Sequence, residues 1–334
     1  MTEIESRYTN RKYLDALNDR VLLFDGAMGT NLDRQNLTAE DFGGERTAGC
    51  NDYLVITKPS AVEKVHRAFF EAGSDVIETN SFRSNRLTLA EFGLEDRVLE
   101  INRKAAALAR RIADEYTTPE KPRFVAGSMG PSGKLISTED PGLSNITFDE
   151  IVDIFKEQAI GLIEGGVDLL LIETSQDILE VKAIVRGINE AFTVTGKVLP
   201  IQAQVTLDTT GRMLLGTDIE AARVILEGMG VDVIGLNCAT GPDYMREPIR
   251  YLTEHSNLPI SCIPNAGLPL NVDGEAVYPM KPEPFAALML EFVNEYGVRV
   301  VGGCCGTRED HIQLLYEGLD KKRPKPAPPA VIPM

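Results

Sequence analysis

In EGGVDLLLIET, residues 164–174, a glycine pair is followed by an aspartate and then by the unbroken apolar run Leu169, Leu170, Leu171 and Ile172. A strand that is apolar at every position has no face to offer water, so it belongs in a parallel sheet covered on both sides. The glycines mark the end of a preceding helix, because glycine enters the left-handed conformation that closes helix C-termini without a Cβ penalty. EAGSDVIET at 71–79 and EGMGVDVIGLN at 227–237 carry the same phrase without repeating the sequence. Helix, glycine turn, aspartate and buried strand form an α-to-β joint, and the chain uses it three times.

The same criteria, applied outward from these joints, predict strands at 21–25, 75–79, 123–128, 168–173, 199–206, 231–237, 258–264 and 298–303. Helical patterns lie between them. PSAVEKVHRAFFEAG places Val62, Val65, Phe69 and Ala72 on one stripe behind Pro59, which stands where a first-turn proline is tolerated. Segments 95–116, 147–166 and 217–230 read as further helices, and Thr147 with Glu150 has capping-box spacing. Eight strands alternating with helices predict an α/β fold, a single (β/α)8 TIM barrel, over its rival, a doubly wound open sheet. Residues 1–20 are expected to form an N-terminal helical extension and 21–320 the barrel. The proline-rich stretch 321–334 reads as a linker or tail, an exit suited to a fragment of a longer chain.

The 334-residue chain carries 34 Lys and Arg against 50 Asp and Glu, a formal net charge of −16. Phosphate neutralisation needs clustered cations, so nucleic acid is not an expected partner. Nor is a membrane: no stretch approaches the roughly 20 uninterrupted apolar residues of a span. MTEIESRYTNRKYLDALNDR, the N-terminal stretch, lacks the apolar centre of a signal peptide. Five cysteines, at spacings unlike a secreted disulfide scaffold, point to a reducing, cytoplasmic setting.

On a (β/α)8 barrel, reactive groups gather where the strands end. At or just past those ends stand Asp25 with the turn Gly26, Ala27, Met28 and Gly29, then Glu78, Thr79 and Asn80, Ser128, and Glu173. Gln204, Thr206, Asn237, Cys238, Asn265, Cys304 and Cys305 complete the series. The adjacent pair in VVGGCCGTRED, 300–310, is a poor disulfide, since neighbouring Cα atoms lie about 3.8 Å apart and unstrained bridges need roughly 4.4 to 6.8 Å. With Cys238 on the same rim, three thiols suit Zn²⁺ and leave a fourth position open, a catalytic rather than a closed structural pattern. Glycines beside them let the backbone bend so that neighbouring side chains face one ion. Inert core thiols and a dithiol redox pair are the alternatives. Asp25 and Glu173 close buried strands, where an unpaired carboxylate is costly, so a cation such as an ammonium group is their natural partner. The turn after Asp25 offers backbone N–H groups to a carboxylate. Together these features suit an amino acid whose side chain meets the metal. Cys262 is expected in the core, Cys50 has no evident partner, and His66, His255 and His311 read as packing or surface residues on helices.

FDGAMGT (24–30), GSDVIETNSF (73–82), DLLLIET (168–174), IGLNC (234–238), PNAGLP (264–269) and VGGCCGT (301–307), in this order, resemble the homocysteine S-methyltransferase family. The resemblance runs from about residue 10 to 320, and NDYLVITKP, RFVAGSMGP and NITFDE favour the family's cobalamin-dependent branch. It implies a (β/α)8 barrel with zinc on Cys238, Cys304 and Cys305, and Asn265 matches a position able to supply an oxygen to zinc before substrate arrives. It also implies that Asp25, the Gly26–Gly29 turn and Glu173 hold the amino and carboxylate groups of homocysteine. Glu78, Asn80, Ser128 and Asn237 complete the expected pocket, with the three cysteines and Glu173 as the catalytic set. The implied methyl donor is methylcobalamin on a separate module, recharged from methyltetrahydrofolate. The implied partners are therefore cobalamin- and folate-binding modules of the same or a companion chain, since no cobalamin signature appears here. S-methylmethionine or betaine as donor is the alternative within the family. A non-catalytic zinc or amino-acid binding module is the alternative outside it.

Overall fold

In the computed structural model, which describes residues 7–321 apart from 137, 141 and 143, every predicted strand is present. They are β1 (Leu22–Leu23), β2 (Val76–Glu78), β3 (Phe124–Met129), β4 (Leu169–Ser175), β5 (Ile201–Val205), β6 (Val233–Asn237), β7 (Ile260–Ile263) and β8 (Val300–Val301). All pair in parallel, in the order β1-β8-β7-β6-β5-β4-β3-β2. A parallel bridge between Phe24 and Val76, with the Asp75 amide donating to Leu23 O at 2.7 Å, joins the two ends of that sheet. That closure makes the fold a (β/α)8 barrel and rejects the open sheet. Around it lie α1 (Pro59–Glu71), α2 (Val98–Tyr116), α3 (Phe148–Gly165), α4 (Ile178–Thr195), α5 (Ile219–Gly228), α6 (Pro242–His255), α7 (Pro282–Glu291) and α8 (Glu309–Lys321). Pro59 opens α1, and Thr147 and Glu150 form the capping box of α3.

Side-chain alternation separates two apolar layers. Val125, Leu170, Ile172, Ile234 and Leu236 pack outward against the helices, whereas Phe124, Ala126, Leu169, Leu171 and Val233 face the barrel axis. Continuing the inward series in steps of two residues reaches Ser128 on β3, Glu173 on β4 and, past Gly235, Asn237 on β6. The barrel interior is therefore apolar at the N-terminal end of the strands and polar at the C-terminal end. Below it sits the N-terminal helix Lys12–Asp19, the described part of the predicted extension. Its Tyr13 and Leu17 pack into the inner cluster, and Tyr13 OH donates to Gln202 Oε1 at 2.7 Å. Residues 1–6 of that extension and 322–334 of the predicted tail lie outside the described residues.

The recurring aspartate has a structural task. Asp168 donates its amide to Val125 O and accepts the Val125 amide on its carboxylate, both at 2.8 Å. Asp75 does the same with Leu23, at 2.7 and 3.1 Å, and Asp232 with Ile201, at 2.8 and 2.8 Å. Each aspartate thus extends the ladder past the start of its own strand, and an arginine neutralises it: Arg110 for Asp168, Arg20 for Asp75 and Arg7 for Asp232. Gly166, at φ +98°, supplies the left-handed residue after α3. One element is new. After β7 the chain forms a hairpin, Leu270–Val272 against Glu275–Val277, whose Leu270 and Val272 are solvent-exposed.

Candidate metal centre and substrate pocket

The strand ends open into a cavity of about 310 Å³, in which Asp25, Glu78, Ser128, Glu173, Cys238 and Cys304 share the wall with Cys305. Cys305 Sγ lies 3.9 Å from Cys238 Sγ and 3.9 Å from Cys304 Sγ, and all three sulfurs fall within 4.8 Å of one another. Tetrahedral bonds of about 2.3 Å from zinc to sulfur set sulfurs roughly 3.8 Å apart, so the three thiols fit one such ion. Crowding also makes their ionisation collective. Hydrogen bonds from Cys238 and Cys304 pull Cys305 down to about 3, while the same contacts and burial push Cys304 well up. Thiols this close disfavour ionising together, and a cation among them would offset that cost.

Among the glycines of the 302–306 segment, Gly306, directly after Cys305, makes the expected bend at φ +79°. Gly302 and Gly303 have ordinary φ values, and what they supply is room: a Cβ at Gly303 would lie 2.5 Å from Thr307. Thr307 Oγ1 donates to Cys304 O at 2.6 Å and accepts the Ala27 amide at 3.2 Å, tying the cysteine loop to the turn after β1. Cys238 itself supplies a second left-handed residue at the cluster, at φ +59°.

Opposite the sulfurs lies an acidic wall. Asp25 Oδ2 accepts the Glu78 amide at 3.1 Å, and its Oδ1 is buried without a partner among the described residues. Glu173 Oε1 accepts from Ser128 Oγ, and Oε2 from Asn237 Nδ2 at 3.3 Å. Burial drives all three carboxyl groups upward, Asp25 and Glu78 well above the usual range and Glu173 to about 7. No cation among the described residues acts on them. Two buried carboxyl groups and the half-buried Glu78, with no cation among the described residues, make a pocket that an ammonium group would stabilise.

The other predicted residues divide. Gly26, Ala27, Met28, Gly29 and Asn80 line the cavity, but the Ala27 amide is taken by Thr307 and Asn80 Nδ2 donates to Asn51 O at 2.7 Å. Asn237 turns its carboxamide onto β4 instead of the cavity. Asn265 is buried, its Oδ1 has no partner among the described residues, and its loop is bonded to both cysteine segments through Asn265 N to Thr240 O and Ala266 N to Cys305 O. Gln204 and Thr206 bond inside the barrel wall, to Ser261 and to Asn237 O. Cys262 is in the core, as expected, and His66 and His311 are buried packing residues. Cys50 finds a place the sequence did not indicate: with Asn51 and Asp52 it walls the cavity, because Asp52 accepts from Arg83 N and Ser84 Oγ, at 2.9 Å each, and fastens the long β1–α1 loop over the mouth. Nothing in the local sequence signals that contact.

Fold and site together define a (β/α)8 barrel whose C-terminal face carries a three-thiol, metal-competent centre beside an acidic pocket. Residues 22–319 match the sequence model described as Homocysteine S-methyltransferase, and the chain belongs to that family. It is 44% identical over 326 residues to a methionine synthase of Mycobacterium tuberculosis, covering 97% of this chain and 27% of the relative. With a methionine synthase of Mycobacterium leprae it shares 45% identity over 300 residues, 90% of this chain and 24% of the relative. The chain thus spans about a quarter of the curated relatives it matches. In fold it is similar to the metallated form of the homocysteine methyltransferase MmuM from Escherichia coli, with a TM-score of 0.71, 22% identity, and coverage of 92% of this chain and 98% of that one.

Proposed function

We propose that this chain is the homocysteine-binding module of a zinc-dependent homocysteine S-methyltransferase that forms methionine, with the methyl group delivered from methylcobalamin on another module. The observation that carries the proposal is the spacing of the three sulfurs, close to the edge of a zinc–thiolate tetrahedron and beside a pocket sized for an amino acid. Cys238, Cys304 and Cys305 would hold the ion, and the unpartnered Asn265 Oδ1 supports an oxygen contribution in the absence of substrate. Zinc, when bound, supplies a positive centre that favours the thiolate over the thiol, which is otherwise only a few per cent ionised at neutral pH.

The chain's own residues do the rest. Glu173, steadied by Ser128 and Asn237, faces the substrate ammonium, and Asp25 and Glu78 add to the same negative wall. With the Ala27 amide occupied, Gly26, Met28 and Gly29 remain to meet the substrate carboxylate. The apolar inner layer and the Tyr13 plug exclude water from below, so the pocket opens only at the C-terminal face, where a donor can enter. The fourfold greater length of the methionine synthase relatives supports a donor carried on a companion module. Free thiols at the centre suit a reducing cytoplasm.

Metal analysis of the purified chain, joined to a methionine-formation assay, tests the proposal. Expected is about one zinc per chain, with methionine formed from homocysteine and free methylcobalamin. Turnover with S-methylmethionine or betaine alone would reject the donor. Zinc whose X-ray absorption gains no sulfur neighbour on adding homocysteine would make this a non-catalytic module.

A further inference from the structure

Near their C-terminal ends β4 and β6 share an unusual feature. Thr174, following Glu173, and Cys238, following Asn237, both adopt left-handed backbone, at φ +58° and +59°. For a β-branched residue such as Thr174 this is a steric outlier, which persists only where the surroundings impose it. One side chain does so. Asn237 Oδ1 accepts the Thr174 amide at 2.7 Å, and Nδ2 donates to Thr174 Oγ1 at 2.9 Å and to Glu173 Oε2 at 3.3 Å. Asn237 is fully buried, and its carbonyl accepts Thr206 Oγ1 at 2.9 Å. The next residue is Cys238, whose amide donates to Ile263 O at 3.2 Å. Both N–H donors of the carboxamide are in use, which leaves it no donor for a ligand.

We propose that Asn237 is a positioning residue that locks the Glu173–Thr174 end of β4 to the thiol-bearing end of β6, so that the amino-acid pocket and the thiol cluster keep their geometry together. The inference rests on the function proposed above and assigns Asn237 to the protein's own framework instead of to the substrate. It explains why a strained threonine follows the acidic residue. Thr174 supplies both the amide and the hydroxyl that Asn237 grips, and the grip reaches the backbone leading into Cys238. A change at Asn237 therefore disturbs two sites that no single ligand-contacting residue would disturb together.

The test compares the parent chain with Asn237→Ala, Thr174→Gly and the double variant. Homocysteine affinity is read by calorimetry, zinc release by a chromogenic chelator, and folding by the unfolding temperature. Asn237→Ala is expected to weaken homocysteine binding and to speed zinc release, each about tenfold, as loss of a residue supporting a metal ligand does. Adding Thr174→Gly is expected to restore most of the homocysteine affinity, because glycine holds φ near +58° unaided. It should leave zinc release fast, because it does not reach Cys238. A purely structural role for Asn237 would show no such one-sided rescue. Should Asn237→Ala not fold, Asn237→Ser, which keeps a small polar side chain but lacks the carboxamide, serves instead with the same expectations. Either quantity unchanged within about twofold in the Asn237 variant, or no rescue by Thr174→Gly, overturns the proposal. A parent chain that retains no zinc or takes up no homocysteine instead overturns the function on which it rests.

Discussion

Glu173 shows how much one position can carry. Its place was legible: a carboxylate ending an apolar strand had to face either a partner or a ligand. The structure adds the reason it stays in place, a hydroxyl from Ser128 on one oxygen and the Asn237 carboxamide on the other. Neither contact was readable, because both come from other strands. Glu173→Gln keeps the shape and removes the charge. It is expected to weaken homocysteine binding by about tenfold or more, the scale of a lost charged partner, while changing zinc affinity little. Cys304→Ser is expected to show the opposite bias, losing most bound zinc with an unchanged helical circular dichroism spectrum. Equal loss of both ligands in the Glu173 variant would count against its role as ammonium partner. The cysteines themselves were visible as strand-end thiols, whereas Cys50 was not placed, since only the docking of a long loop brings it to the cavity wall.

At the scale of the element, the α-to-β joint was legible as a phrase and opaque as a device. Its glycine declares a helix end; its aspartate gives no local hint that it will cap the ladder of the neighbouring strand. Asp168→Ala strands the Val125 amide, Asn10 Nδ2 and part of the Arg110 guanidinium at once. A loss of about 2 to 3 kcal/mol is expected in chemical denaturation, with the metal site intact. A second element-level prediction concerns Glu180, on α4. It is buried and accepts from Ser132 N at 2.9 Å and from Ser132 Oγ, fastening the loop after β3. Burial pushes its carboxyl up to about 7, against the hydrogen bonds from Ser132. A folded-state value above the unfolded one means that the stabilisation is full at low pH, below about 4.5, and is lost as pH rises through about 7. Glu180→Gln, which cannot ionise, should therefore match the parent near pH 4 and exceed it at pH 8, by about 2 to 3 kcal/mol. Urea midpoints at the two pH values check this, and an equal gap at both would refute it.

For the whole molecule, the decisive event is closure. The Phe24–Val76 bridge turns a sheet into a barrel, and the N-terminal helix fills its lower end with Tyr13, whose ring meets Phe24 and Phe124 edge-on. Tyr13→Ala is expected to lower stability by about 4 kcal/mol, as for a large aromatic removed from a core, and to leave zinc stoichiometry unchanged; loss of zinc at full stability would contradict this division between plug and site. By itself the sequence determined the alternation of strands and helices, their burial on both faces, and the polar character of the strand ends. Those properties follow from residue periodicity and turn chemistry, which act between near neighbours. Only the tertiary structure decided that Cys238 and Cys305, 67 positions apart, stand 3.9 Å from each other, and that Asn237 grips Thr174. Such distances depend on how strands register and close around a shared core, a property of packing between segments that no local pattern encodes.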